Sequence, residues 1–538
     1  MNKLFLILIY CFLLSCKSNQ LIKQSINQNL WHYKDILNDS IYGTSFYKWK
    51  NENNKLKSKN EIIVAVLDTQ IDLNHEAIKG NLWKNEKEIP NNKIDDDNNG
   101  YIDDVGGWNF IGYQNDNYYR YDNFEYTKII GNKSQYKEYN IFGNDSIYLS
   151  KVLNKVEQNQ NNNVDYYLNW KKSLDFRISN WEKVNDTLKY FFPKEDYTIK
   201  QLDSLYAIHK TNDKTFKQRR NDNDEDLGAL IFYKITSIQM NYLKIEDVVE
   251  MNTQLDSIIN RNLNPNLNSR TKLPLGNNIL NNNKFQLEHS TLVAGVIGAN
   301  QNNGKIEGFH PNITIMPLCV SLSGDEYDED IAKAIYYAVD NGAKIINMSI
   351  GKEFSMNQKL VTEALKYAET NNVLIVHAAG NESMKIDEDF YYPNDFDYYL
   401  QKETVTNFIN VGAISIRNDS ALIAPFSNYG KDQVDIFAPG EDVLVAKPNN
   451  QYEKDSGTSI AAPMVSGTAA LIWLYYPNLS VQEVKLIILE SGVAIDKKVI
   501  KPGTKDEMVS FSELCKSGKI LNTYNAMQMA KQMSRKKK

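Results

Sequence analysis

Histidine is scarce in these 538 residues, with six copies, and cysteine is scarcer still, with four. Two of the cysteines fall within the first sixteen residues, which leaves too few for a disulfide framework in a chain this long. A surplus of either charge is also missing. Sixty-one Lys and Arg against 67 Asp and Glu give a net charge of -6, and the basic residues are spread along the chain rather than gathered into a nucleic-acid footprint. Nucleic acid is therefore excluded as the expected partner. The apolar run from Leu4 to Leu14 is too short to span a bilayer. What remains is a soluble globular composition, 42% hydrophobic and 24% charged, in a chain long enough for one large domain with insertions or for two to three ordinary ones.

That short apolar run, preceded by Lys3 and followed by Ser15-Cys16, suits the h-region of an export signal. The stretch "LLSC" resembles a bacterial lipobox. The resemblance implies a lipoprotein signal peptide over 1–15 and a lipid-modified Cys16 as first mature residue. It also implies a place on the bacterial cell envelope, facing the periplasm or on the outer membrane, with the lipid as the only membrane contact. Residues 16–59 then form a lipidated N-terminus and an arm, "WHYKDILNDSIYGTSFYKWKN", packed on the domain downstream. The roughly forty residues between Cys16 and the first core strand are too few for an inhibitory pro-domain. Of the later thiols, Cys319 lies in "ITIMPLCV", a buried strand, as a small hydrophobe rather than half of a bridge to Cys515.

Beyond residue 59 the chain is of two kinds. Over about 60–110 and 286–480, short apolar runs such as "EIIVAVLD", "AKIINMSI", "NVLIVHAA" and "FINVGAIS" alternate with helical stretches such as "DEDIAKAIYYAVDNG". Strands apolar on both faces, separated by helices, predict an α/β fold with a parallel sheet covered on both sides. Residues 111–285 are rich in Asn, Lys, Asp and Tyr and lack that alternation. Ile178, Trp181, Val184 and Leu188 stand at helical spacing there, and Thr198 with Gln201 has the form of a capping box. This segment reads as a mainly helical insertion whose tail, from about Gln254 on, is loop.

Three polar positions interrupt the first kind of sequence. Asp68 ends the apolar strand in "VAVLDTQID", where an open α/β sheet gathers its site; alone, it reads as a turn cap. His289 opens "HSTLVAGVIGA", a run suited to a helix packed tightly on a sheet; alone, it is as readily a structural histidine. Ser459, in "SGTSIAAPMVSGTAALIWLYYP", starts a long Ala-rich helix. The first-turn N–H groups of such a helix lack partners, and its dipole favours developing negative charge. Pro463 lies about one turn in, where it is tolerated. A serine at that point also serves as a plain N-cap.

Taken together, in the order Asp68, His289, Ser459, these residues resemble the triad of the subtilisin-like serine proteases. "GTSIAAPMVSG" is similar to that family's Gly-Thr-Ser-Met-Ala-x-Pro-x-Val-x-Gly almost residue for residue. The resemblance covers about 60–110 and 286–480 and implies a peptidase domain over 60–110 and 286–535. Its fold would be three-layered, with a mainly parallel central sheet between helices, interrupted by the insertion at 111–285. It implies a serine endopeptidase acting on protein or peptide substrates, with no cofactor required for the chemistry. In it Ser459 would be the nucleophile, His289 the base and Asp68 the residue that orients and stabilises His289. "HAAGNES" makes Asn381 the side-chain oxyanion donor. Ser349, Ile350 and Gly351 with Ala378, Ala379 and Gly380 would flank the substrate residue before the cleaved bond, the peptide pairing as an added strand.

The chain departs from the family pattern at Gln70, where a glycine is usual, and at Ser290 and Leu292, where His-Gly-Thr-His is usual. Gln70 and Ser290 are expected to narrow the site or reshape access to it. Two rivals accordingly stand beside the enzyme: a silent peptide-binding protein on the same fold, and an assembly factor whose insertion is the working part. Finally, "IDDDNNGYIDD" places Asp95, Asp97, Asn99 and Asp103 in the manner of a calcium loop around Gly100, although Gly106 replaces the usual twelfth-position Glu. Structural calcium and a solvated acidic turn both fit it.

Overall fold

The computed structural model describes residues 30–537 apart from 57, 59, 114–123, 132–144, 264–274, 301–304, 322–324 and 399. The signal segment and Cys16 lie outside the described residues. Two compact units result, the first from Met1–Tyr119, Tyr139–Gly143 and Lys272–Lys538 and the second from Arg120–Glu138 and Asn144–Thr271.

The apolar runs of the first unit become one ten-stranded sheet. In chain order its strands are β1 Ile62–Asp68, β2 Trp108–Tyr113, β3 Leu275–Asn277, β4 Ile313–Cys319 and β5 Ile345–Met348. They continue with β6 Leu374–Ala378, β7 Phe408–Ile414, β8 Ile436–Pro439, β9 Val493–Ala494 and β10 Lys519–Ile520. Across the sheet the order is β9-β10-β8-β7-β6-β5-β1-β4-β2-β3. All neighbours are parallel except the antiparallel edges β9–β10 and β2–β3. The expected parallel, doubly covered sheet is thus present. The unbroken apolar reading of β1 has a direct cause: Val64 and Val66 bury on one face with Val293 and Ala462, while Ala65 and Leu67 bury on the other with Ile331 and Ile335.

Sheet topology places the site. The chain crosses from β4 on one side of β1 to β5 on the other, so the carboxyl end of β1 is a switch point where the flanking loops part. Asp68 stands there, its carbonyl accepting from the N–H groups of Val320 and Ser321 at 2.9 and 3.2 Å.

Two helices cover this face, Glu288–Gly298 and Thr458–Tyr475. The second is long and apolar enough to cross a membrane, but 89% of it is buried within the fold. Pro463 sits inside it and has no N–H to give the carbonyl four residues earlier, which is that of Ser459. The Ser349 hydroxyl supplies the missing bond at 3.1 Å. A proline in the helix thereby ties Ser459 to the end of β5.

The N-terminal arm packs on the same unit. Trp31, Tyr33, Phe46 and Trp49 are buried, with Trp49 edge-on to Tyr475 at 5.4 Å and Trp31 Nε1 donating to Asp442 O at 3.2 Å. Cys319 and Cys515 are buried free thiols.

The second unit is helical among its described residues, with Asp145–Lys189 as its longest element. The Thr198–Gln201 capping box is present. Val184 and Leu188 are buried in its core, and Ile178 and Trp181 are half-buried. Two expectations are corrected. Residues 111–113 and 275–277, assigned to the insertion, are strands of the sheet. The tail expected to be loop is helical as far as Leu263 in Ile245–Leu263, because Val248, Met251, Leu255 and Ile259 recur at helical spacing and are buried.

Candidate active site

Asp68 is fully buried at the end of β1, with Oδ1 2.7 Å from His289 Nδ1 and accepting from Thr69 N at 2.7 Å. His289 is the second residue of its helix, and its side chain is 38% exposed, so Nε2 is left toward the cleft. Burial pulls the imidazole pKa down, but the charge and hydrogen bond of Asp68, with a smaller contribution from Asp455, outweigh it. The result lies above the ordinary 6.5. Lys447 opposes this from a buried position, bound to both Glu288 and Asp455.

Ser459 is the second residue of the other helix, after Gly457 and Thr458. Its Oγ donates to Ser349 O over a long 3.4 Å, and among the described residues it makes no hydrogen bond to His289. Asn381 is exposed beside it. The Asn381 carbonyl oxygen accepts from Thr458 N at 2.9 Å and Thr458 Oγ1 at 3.0 Å, which leaves the amide NH₂ outward. A point one bond out from Gly457 Cα, where a side chain would begin, is 3.6 Å from Ser459 N and 3.7 Å from Asn381 Nδ2. Ser459 N and Asn381 Nδ2 thus both border one small space at a helix N-terminus, with Asn381 Oδ1 3.9 Å from the same point, and donors so placed can hold an oxyanion.

The segments expected to flank substrate are also at this end. Ser349, Ile350, Ala378 and Ala379 have buried side chains, and His377 Nε2 lies 2.8 Å from Ile350 O, joining the two segments. Gln70 and Ser290, expected to narrow the site or reshape access to it, do not present exposed side chains there. Both are buried, Gln70 bonding to Asn282 Oδ1 at 2.8 Å and Asn283 N at 2.7 Å, so it clamps the approach to the His289 helix.

In the acidic loop, Asp95 and Asp97 come together with Glu88, each with an oxygen within 4.8 Å of the others. Asn99 donates its N–H to Asp95 and Asp97. Asp103 turns away to accept from Asn92 N and Lys93 N. Glu88, seven residues upstream of the alternating pattern, is a member that the spacing did not mark. Lys447 and Asp455, at the ends of the antiparallel strands Val443–Lys447 and Gln451–Asp455, carry no motif that marks them either.

A protein whose three-layer sheet carries this Asp–His pair and a helix-borne serine belongs to a known class. The profile described as "Subtilase family" matches residues 59–512, and the chain belongs to that family. It is 38% identical over 191 residues to the major intracellular serine protease of Bacillus subtilis (strain 168), a match covering 35% of this chain and 55% of that protein. It is 31% identical over 286 residues to the cell wall-associated protease of the same organism, covering 52% and 29%. The match thus spans about half or less of those relatives' length. Among solved structures, that of the prenylagaramide maturation protease PagA aligns at 29% identity over 45% of this chain and 82% of that one, with a TM-score of 0.37.

Proposed function

We propose that the chain is a serine endopeptidase hydrolysing peptide bonds through Asp68, His289 and Ser459, with Asn381 and the Ser459 N–H stabilising the oxyanion. The observation that carries this reading is the 2.7 Å Asp68–His289 contact at the same sheet end as a serine whose backbone nitrogen borders one small space with the Asn381 amide. Substrate binding has to turn the Ser459 hydroxyl from Ser349 O toward His289 Nε2, in keeping with triads that tighten only with ligand present. Ser459 Oγ then attacks the carbonyl carbon as its proton passes to Nε2. Asp68 stabilises the imidazolium, which protonates the leaving amine as the C–N bond breaks. Water repeats the sequence on the acyl-enzyme. An oxyanion donor such as Asn381 contributes about 2.7–4 kcal/mol.

The peptide would lie as an added strand along Ser349–Gly351 and Ala378–Gly380. We further infer a lipid on Cys16 that anchors the protein to the bacterial envelope, and a structural calcium held by Asp95 and Asp97 with Glu88 and Asn99. Labelling of the purified chain by a fluorophosphonate, lost in Ser459→Ala, tests the enzymatic reading. A chain that takes up no probe is a silent scaffold instead. For the anchor, Cys16→Ser should move the protein out of the membrane fraction; unchanged fractionation refutes the lipid.

A further inference from the structure

The two segments that would wall the substrate cleft do not face each other across open space. A methyl group built on Gly351 would lie 2.5 Å from the Tyr391 hydroxyl oxygen, and one built on Gly380 would lie 2.5 Å from the same atom. One phenol therefore touches both backbones at once. Gly380 also has φ +104°, a conformation that favours glycine, so this close approach is built into the chain.

Tyr391 is wedged there, 7% exposed, and its backbone is held from both sides. Its N–H donates to Tyr398 Oη at 3.2 Å, and its carbonyl accepts from Asn394 Nδ2. The next residue, Tyr392, exchanges two backbone hydrogen bonds with Lys352, of 2.8 and 2.7 Å, which fastens this loop to the chain just after Gly351. Below the phenol, the His377 ring centroid is 6.3 Å from that of Tyr391, and its Nε2 bridges to Ile350 O. Burial, and after it the carboxylates of Glu382, Glu326, Glu353 and Asp325, keep the hydroxyl well above its ordinary pKa, so it stays neutral.

Resting on the protease reading, we propose that Tyr391 forms the floor of the primary specificity slot and restricts the residue before the scissile bond to a small side chain: glycine, alanine or serine. A phenylalanine or leucine side chain would have to occupy the volume of the ring, and close-packed interiors offer no spare space for it. A neutral hydroxyl at the floor offers a lysine ammonium one uncharged acceptor and no charge of its own. The surrounding carboxylates make cleavage after a basic residue the competing outcome.

The test uses the full chain with quenched peptides that differ only at that position, beside Ser459→Ala as the blank. Wild-type kcat/KM is expected to be at least tenfold higher for alanine than for phenylalanine, leucine or lysine. Tyr391→Gly should shift the alanine-to-phenylalanine ratio at least tenfold toward phenylalanine, while Tyr391→Phe keeps the wild-type order because the ring fills the slot. Should Tyr391→Gly melt too early to assay, the wild-type and Tyr391→Phe profiles decide. Ser459-dependent cleavage after large or basic residues overturns the proposal and leaves the protease reading intact. Absence of both hydrolysis and fluorophosphonate labelling overturns the two together.

Discussion

At the residue scale, His289 is the point where opposed influences are decided. On the proposed mechanism it must be neutral to accept the Ser459 proton, and its pKa is raised above 6.5 because Asp68 outweighs the effect of burial. The acid limb of kcat/KM against pH should therefore be centred above 6.5. Asp455→Asn, which removes one charge that raises the pKa, should move that limb to lower pH; a limb that stays in place would show that Asp455 does not act on His289. Ser459→Ala is a second expectation: turnover falls on the order of 10⁶-fold, with an unchanged melting temperature. Gln70 supplies a third. Its amide makes two hydrogen bonds to Asn282 and Asn283 ahead of the His289 helix, each contributing about 1 kcal/mol. Gln70→Gly should accordingly cost about 2 kcal/mol in denaturant unfolding, and an unchanged midpoint would deny the clamp.

At the scale of elements, the N-terminal arm carries a pH signature. His32 in the Trp31–Tyr33 turn is buried, with Nδ1 lacking a hydrogen-bond partner among the described residues, and burial lowers its pKa to about 3. Between pH 6.5 and 3 the unfolded chain binds this proton and the folded chain does not, so the contribution of His32 to stability is complete above pH 6.5 and is lost as pH falls. The slope is about 1.4 kcal/mol per pH unit. His32→Gln should flatten the fall in unfolding free energy between pH 6.5 and 5 by that amount relative to wild type, and equal slopes would refute it. The acidic loop gives the other element-scale expectation. Calcium bound only by the folded state stabilises it by about 2.7 kcal/mol at a hundredfold excess over its dissociation constant, so chelator should lower the melting temperature and calcium restore it. These elements also show what was legible in the sequence. Asp68, His289, Ser459 and Asn381 stand at strand ends and helix starts, where the neighbouring residues mark them as candidates. Glu88 joins the acidic loop through backbone hydrogen bonds that no spacing rule marks, Tyr391 meets Gly351 and Gly380 only through packing, and the helix ending at Leu263 was hidden because Asn and Asp surround its apolar period.

For the whole molecule, the question is what the helical unit does for the subtilase-family unit that it interrupts. Asn109, Cys319 and Asp68 lie in one register row across β2, β4 and β1, and β2 runs four residues further to Tyr113. The chain thus leaves the sheet at the carboxyl end, where Asp68 and His289 meet. It returns at Leu275, directly paired with Tyr113. Because the sheet itself holds these two ends together, an insertion of almost any length adds little closure entropy here, and the fold permits it without requiring it. The chain leaves and re-enters the sheet at the end that carries Asp68, so the insertion is expected to influence which substrates are cleaved. Replacing 114–274 by a short Gly/Ser turn between the paired strands should leave the sheet intact. The rates to compare are those for a folded protein and for a short unstructured peptide. Their ratio is expected to change at least tenfold, about 1.4 kcal/mol of differential transition-state binding. An unchanged ratio in a stable variant would make the helical unit a decoration with no part in substrate choice.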